Sequence, residues 1–278
     1  VHTHFTDMKT DMCVNIACLG LRVKKYKHYR SSFGSFGTIK KFFARLCYRS
    51  WNAVICVSPH IMREAESNIV SCKPVLLNDA VYFPRMDNYE KLCKPDLGVP
   101  ESAVLCFAIG YDYRLKGIDL ACKAVKKLRD EGQNIYLAVC TASNTQTIAE
   151  QIRAQFGEFP EWLKFLPPRQ DIASYYRAAD IYIQASRSEG FCYAIVEAAY
   201  CGKTVVGSDC PGMKSHAEKN FDFLWFKNGD SDSLSEKLGQ AVKMSESSEL
   251  SSKNRRSAID NYSIENMSKK LYRIYADM

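Results

Sequence analysis

Short apolar runs alternate with helix-length amphipathic segments along nearly the whole chain. That alternation limits the fold to a parallel sheet with crossover helices. Residues 1–5 read as a short strand, 8–19 as a helix and 23–29 as a second strand. A Ser/Gly loop fills 31–37. Thr38 is placed to cap a helix running to about Trp51, and 53–57 is a buried strand. Residues 74–77 form another strand, followed by the turn pair Asn78-Asp79. The stretch to Pro100 carries Pro84, Pro95 and Gly98 and reads as a linker. A fresh series then begins, with strands at 103–109, 135–140, 163–166, 181–184 and 204–207. Helices at 117–129, 147–156, 171–178 and 191–201 separate them, and from Ser231 onward the tail is helical. The expected organisation is a first Rossmann-like domain over 1–77, a second doubly wound domain over 78–255 and a terminal helical segment over 256–278. The first domain opens on a bare strand, so it is expected to lack its first strands.

Composition narrows the class. With 46% hydrophobic and 25% charged residues in 278, the chain is ordinary globular protein. No apolar run reaches the ~18 residues of a membrane span. Val1-His2-Thr3-His4 shows no basic-then-apolar leader pattern. The twelve cysteines contain no Cys-x-x-Cys pair, so they offer neither metal spacing nor a secreted disulfide framework. Reduced thiols in a cytoplasmic protein are expected. The net charge of +7 is uneven: residues 1–60 hold ten basic and two acidic side chains. Within 39–51, Lys40, Lys41, Arg45 and Arg49 alternate with Phe42, Phe43, Leu46 and Trp51. This basic amphipathic pattern fits an anionic membrane surface and equally fits a crossover helix with a solvated face. No recognition motif accompanies the charge, which argues against nucleic acid.

In open parallel sheets, ligands bind beyond the carboxyl ends of the strands. No Gly-x-Gly-x-x-Gly, Gly-Lys-Ser/Thr or Gly-x-Ser-x-Gly motif follows a strand here, which disfavours a nicotinamide dehydrogenase, a phosphate-loop enzyme and a serine hydrolase. Gly110-Tyr111-Asp112-Tyr113-Arg114-Leu115-Lys116-Gly117 places two cations beside a helix start, a cradle for phosphate. A solvated loop accounts for the same residues. Ala185–Glu197 also follows a strand and opens a helix. Glu189, the amides of 190–192 and Glu197 together suit a hydroxyl-rich ligand bearing an anion. Taken singly, Glu189 fits a helix-start carboxylate and Glu197 a solvated surface group.

Ser186, Glu189-Gly190-Phe191, Glu197-Ala198, Gly202-Lys203-Thr204-Val205-Val206 and Lys116-Gly117 together resemble the C-terminal half of retaining GT-B glycosyltransferases of family 4. Asn78-Asp79 stands where that family has its Asn-Gly crossover. The resemblance implies an α/β GT-B fold of two Rossmann-like domains. It implies a metal-independent transfer from a nucleotide-diphosphate sugar, with no cofactor, to a saccharide or lipid-linked saccharide acceptor. Such enzymes serve bacterial capsule, exopolysaccharide or lipopolysaccharide synthesis, and a place in the cytoplasm, peripheral to the inner membrane face, is expected.

The roles follow by resemblance. Glu189 and the amides of Gly190, Phe191 and Cys192 would hold the donor sugar, and Glu197 the ribose. Lys116, with Gly110 at the strand end, would neutralise the diphosphate. Tyr111 stands where the family has Arg, and Arg114 is the candidate to supply that charge. Cys192 stands where Gly or Pro is usual. On the acceptor side, His28 is placed beside the reacting sugar, with His4, Arg30 and Ser31 near it. Attack is implied on the face the diphosphate leaves, with the donor phosphate helping to deprotonate the acceptor, and closure is implied across a hinge at 78–84. A non-catalytic nucleotide-sugar-binding remnant and a GT-B sugar-nucleotide epimerase are the alternatives.

Overall fold

A computed structural model describes residues 1–4, 7–69, 71–141, 144–244 and 248–277. The chain forms two compact units. The first comprises Val1–Ala80, Glu189–Phe191 and Ile264–Met278, and the second Val81–Ser188 and Cys192–Ser263. Both are built on parallel sheets, as the alternation requires.

The first unit runs β1 (His2–Thr3), α1 (Met8–Ala17), β2 (Tyr26–Tyr29), α2 (Thr38–Tyr48), β3 (Ala53–Cys56), α3 (Pro59–Asn68) and β4 (Lys73–Leu76). The strands pair in sequence order, β1-β2-β3-β4. Phe5, the end of the expected first strand, lies outside the described residues. Successive strand residues face opposite sides. Tyr26, Ala53 and Ile55 therefore share one face, which packs with Met267, Leu271, Ile274 and Tyr275 of the chain's last helix. The opposite face meets a buried polar network. Lys27 is fully buried and pairs with Asp11 at 2.6 Å. Asp11 also accepts from Thr3 and from the Tyr48 hydroxyl, which bonds Tyr29. Lys25, also buried, donates to Asn15 and Ser50. Lys25 and Lys27 thus leave the surface patch that the charge count suggested.

Thr38 does not cap its helix. Gly37 is the cap residue and makes no side-chain bond, so Thr38 is the first helical residue. Side-chain caps form instead at Asp7, which accepts from the Thr10 amide at the start of α1, and at Ser58, whose hydroxyl accepts from the Ile61 amide at the start of α3.

The second unit runs β5 (Val104–Ile109), α4 (Ile118–Asp130), β6 (Ile135–Cys140), α5 (Thr145–Phe156), β7 (Leu163–Leu166), α6 (Ala173–Ala178), β8 (Ile181–Gln184), α7 (Tyr193–Tyr200), β9 (Thr204–Ser208), α8 (Pro211–Lys214), β10 (Leu224–Phe226), α9 (Ser231–Met244) and α10 (Ser248–Tyr262). Its sheet order is β10-β9-β8-β5-β6-β7. Chain direction across the sheet reverses between β5 and β8, which makes their carboxyl ends the switch point of a doubly wound fold. The core is apolar and continuous, from Val125 and Leu128 on α4 through Ile135, Leu137 and Val139 to Leu234 and Leu238 on α9. The boundary expected at 255 falls at 263, because α10 stays with the second unit: Ala258 and Tyr262 are buried there, and Val81 bridges Ser263. The last helix, α11 (Ile264–Asp277), belongs to the first unit. Among the described residues, no disulfide forms and no helix is long and apolar enough to cross a membrane.

Candidate functional site

At the switch point of the second unit, the loop leaving β5 and the loop leaving β8 lock together. Gly117 has φ +67°, and a Cβ there would sit 1.9 Å from the Ala185 carbonyl oxygen. Only glycine meets both demands. The Arg187 amide donates to the Leu115 carbonyl at 2.9 Å. Asp119, in the first turn of α4, is buried and accepts both terminal nitrogens of Arg187 at 2.8 Å. Arg114 reaches the same carboxylate at 2.9 Å. Two guanidiniums on one carboxylate leave a net positive charge at the edge of the sheet. Lys116 adds another: its ammonium stands 5.3 Å from the centre of the Tyr111 ring. Tyr111 therefore holds a cation by its ring face where an arginine would carry one.

Further along the same loop, Cys192 caps α7 with φ 69°. A non-glycine residue in this region costs about 1–3 kcal/mol, which explains why glycine is favoured there. Glu197 lies in the second turn of α7 and is buried, not solvated. One of its oxygens bonds Arg85, whose own side chain is half exposed, and the other accepts from the Tyr176 hydroxyl at 3.2 Å. Lys203, in the Gly202-Lys203-Thr204 run, donates to the carbonyls of Arg177 and Ala179, so it anchors backbone.

The first unit gathers a different set at the carboxyl edge of its own sheet. Arg30, just beyond β2, grips the buried Asp79 through Nε at 3.1 and 3.2 Å and through Nη2 at 2.8 Å. Asn78 donates to the Val57 carbonyl and fixes the neighbouring turn. A Cβ on Gly190 would lie 2.3 Å from the Arg30 carbonyl oxygen and 3.2 Å from the Ser31 Cα. Glycine at 190 is thus a condition for that close approach. His28 is buried, 4.0 Å from Asp79, and burial lowers its pKa to about 4. It is neutral at physiological pH.

The family model described as glycosyl transferases group 1 matches residues 93–258, well over half of the chain. The chain belongs to this family. Among relatives of this chain is N,N'-diacetylbacillosaminyl-diphospho-undecaprenol alpha-1,3-N-acetylgalactosaminyltransferase of Campylobacter jejuni. It is 38% identical over 74 residues, covering 27% of this chain and 20% of its own. A D-inositol 3-phosphate glycosyltransferase of Corynebacterium kroppenstedtii is 30% identical over 141 residues, 48% of this chain and 31% of its own. The chain thus spans between a fifth and a third of the length of these two relatives. In fold it is similar to Anabaena HepE, solved in complex with UDP-glucose, with a TM-score of 0.80 at 16% identity over all of this chain and 79% of that one. The fold is GT-B.

In this chain, Gly110, Arg114 and Lys116 share the switch point of the second unit, while Cys192 lies just before α7 and Glu197 on it. His4, His28, Arg30, Ser31, Glu189, Gly190 and Phe191 belong to the first unit. Arg187, Asp119 and Arg85 join the site without having been singled out by the sequence. For Arg187 a signal was present, since a basic residue directly follows a buried strand. For Asp119 it was an acid in the first turn of the facing helix. Nothing local marks Arg85 as the partner of a carboxylate over a hundred residues away.

Proposed function

We propose that this chain works as a retaining, metal-independent family 4 glycosyltransferase. It moves a sugar from a nucleotide-diphosphate sugar to an acceptor hydroxyl in the synthesis of a bacterial capsule, exopolysaccharide or lipopolysaccharide. The observation that carries the reading is the cationic cluster of Lys116, Arg114 and Arg187 at the switch point of a doubly wound sheet. A diphosphate leaving group gains negative charge in the transition state, and fixed cations with a helix start stabilise it without a metal ion. Lys116 carries most of that role, because the Asp119 carboxylate already offsets part of the charge on both arginines. Glu197 binds the ribose hydroxyls in exchange for its bond to Arg85. Glu189 and the amides of 190–192 orient the sugar. The acceptor attacks on the face the diphosphate leaves, and the donor phosphate takes its proton.

The Campylobacter relative acts, by its name, on a diphospho-undecaprenol-linked saccharide. A lipid-linked acceptor here is supported by α2, which leaves Ile39, Phe42, Phe43 and Leu46 exposed among Lys40, Lys41, Arg45 and Arg49. Such a face suits an anionic leaflet at the cytoplasmic side of the membrane.

A panel of nucleotide sugars, beginning with UDP-glucose, followed by thermal shift and product analysis, tests the reading. Lys116→Ala should lower transfer by roughly 10²–10³-fold while the fold persists. Normal transfer by that variant overturns the assignment. Glu197→Gln should weaken nucleoside diphosphate binding, and unchanged affinity removes the ribose role.

A further inference from the structure

Two neighbouring strands of the first unit place three imidazoles on one face. His2 on β1 is in register with Tyr26 on β2, so the alternate positions His4 and His28 continue the same side. The rings lie 4.4 Å apart for His2 and His4, 5.3 Å for His2 and His28, and 5.0 Å for His4 and His28. One ring nitrogen from each falls within 4.8 Å of the others. We propose that His2, His4 and His28 form a binding site for one divalent transition-metal ion of the zinc class, independent of the transfer reaction.

Two features carry this beyond a chance cluster. His28 is 3% exposed, yet neither of its ring nitrogens has a hydrogen-bond partner. A buried, unsatisfied imidazole is costly, and a metal ion would satisfy it. His2 Nε2 is likewise unsatisfied, while its Nδ1 is held by the Tyr275 hydroxyl at 2.5 Å. That bond fixes the ring and leaves Nε2 for a metal, the arrangement in which an outer partner orients a ligating histidine.

The geometry requires modest closure. Nitrogens on a tetrahedral zinc at ~2.0–2.1 Å lie roughly 3.4 Å apart, so the wider nitrogen pair must draw in by about 1.4 Å. His4 is exposed, so its ring can shift without disturbing the core. The neighbouring cation, Arg30, is held in its two-pronged bond to Asp79, whose carboxylate stands 4.0 Å from His28 Nε2. Three nitrogens without a thiolate suit zinc, cobalt, nickel or copper rather than magnesium or calcium, and leave a fourth position for water. Cysteine spacing gave no hint of this site, because its ligands are histidines brought together by the pairing of β1 with β2.

The test uses the whole chain, stripped of metal and alkylated at its accessible cysteines so that thiols do not compete. Zinc is titrated by calorimetry, and cobalt by its visible absorption. One ion per chain should bind, with a cobalt spectrum free of sulfur charge-transfer bands. His4→Ala removes an exposed ligand and leaves the core alone, and it should weaken binding at least tenfold. Tyr275→Phe should weaken it by about tenfold through the lost outer bond. Absence of zinc and cobalt binding overturns the proposal, and so does unchanged affinity in His4→Ala. Neither readout involves sugar transfer, so failure of the transferase assignment leaves this test standing.

Discussion

In the second unit the charges flank the sheet, whereas in the first they run through it. Asp119, Arg187 and Arg114 meet at the carboxyl edge of a core that is otherwise aliphatic and aromatic. Asp11, Lys27, Tyr48 and Tyr29 meet inside, beneath a four-stranded sheet. An edge charge keeps part of its hydration and stays available to a ligand. An interior pair has given up its water and depends wholly on its partner. The first arrangement is suited to binding, and the second to fixing one arrangement of helices on a sheet.

The contrast can be broken most directly at Asp11. Asp11→Ala leaves Lys27 charged and buried without its counter-ion, and urea unfolding should show a loss of roughly 3–5 kcal/mol. A loss below 1 kcal/mol would mean that the interior pair contributes no more than a surface one. Next comes acid. His28 has a folded pKa of about 4 against an ordinary value of 6.5, so the unfolded chain takes up the proton first. Stability is therefore full above pH 6.5 and falls as pH drops toward 4, by about 3 kcal/mol from this group. His28→Gln should flatten that part of the stability profile. A smaller effect belongs to Arg187→Ala, which removes the two-pronged bond to Asp119 but leaves Arg114 there, and about 1–3 kcal/mol is expected. Arg114→Ala should cost the least, within about 1 kcal/mol, because its side chain is mostly exposed. If Arg114→Ala were the more damaging of the two, the edge cluster would be a structural element and its diphosphate role would weaken.

The two units also differed in how much of them could be read. Strands of the second unit are legible nearly to the residue, from Ile135–Cys140 to Ile181–Gln184, because they are largely apolar runs bounded by turns. In the first unit the strand expected over 23–29 shortens to Tyr26–Tyr29, and the strand in question carries a buried lysine and a buried histidine. Hydrophobic pattern cannot identify a core whose interior is polar. The candidate site divides in the same way. Lys116 and Arg114 were legible from their place between strand and helix. The burial of Glu197 was not, since its partners Arg85 and Tyr176 come from distant segments. Nor does the pattern Gly190-Phe191 reveal that the Arg30 carbonyl lies against that glycine.

The helix that covers the first sheet comes from the far end of the chain. Met267, Leu271, Ile274 and Tyr275 pack beside Tyr26, Ala53, Ile55 and Leu77. On a ribosome, those strands emerge long before residue 264 is joined to the chain. The first sheet must wait with an apolar face uncovered while the second unit, whose residues run only to Ser263, completes itself. Vectorial synthesis therefore imposes an order that the numbering inverts: the domain made first is the one finished last.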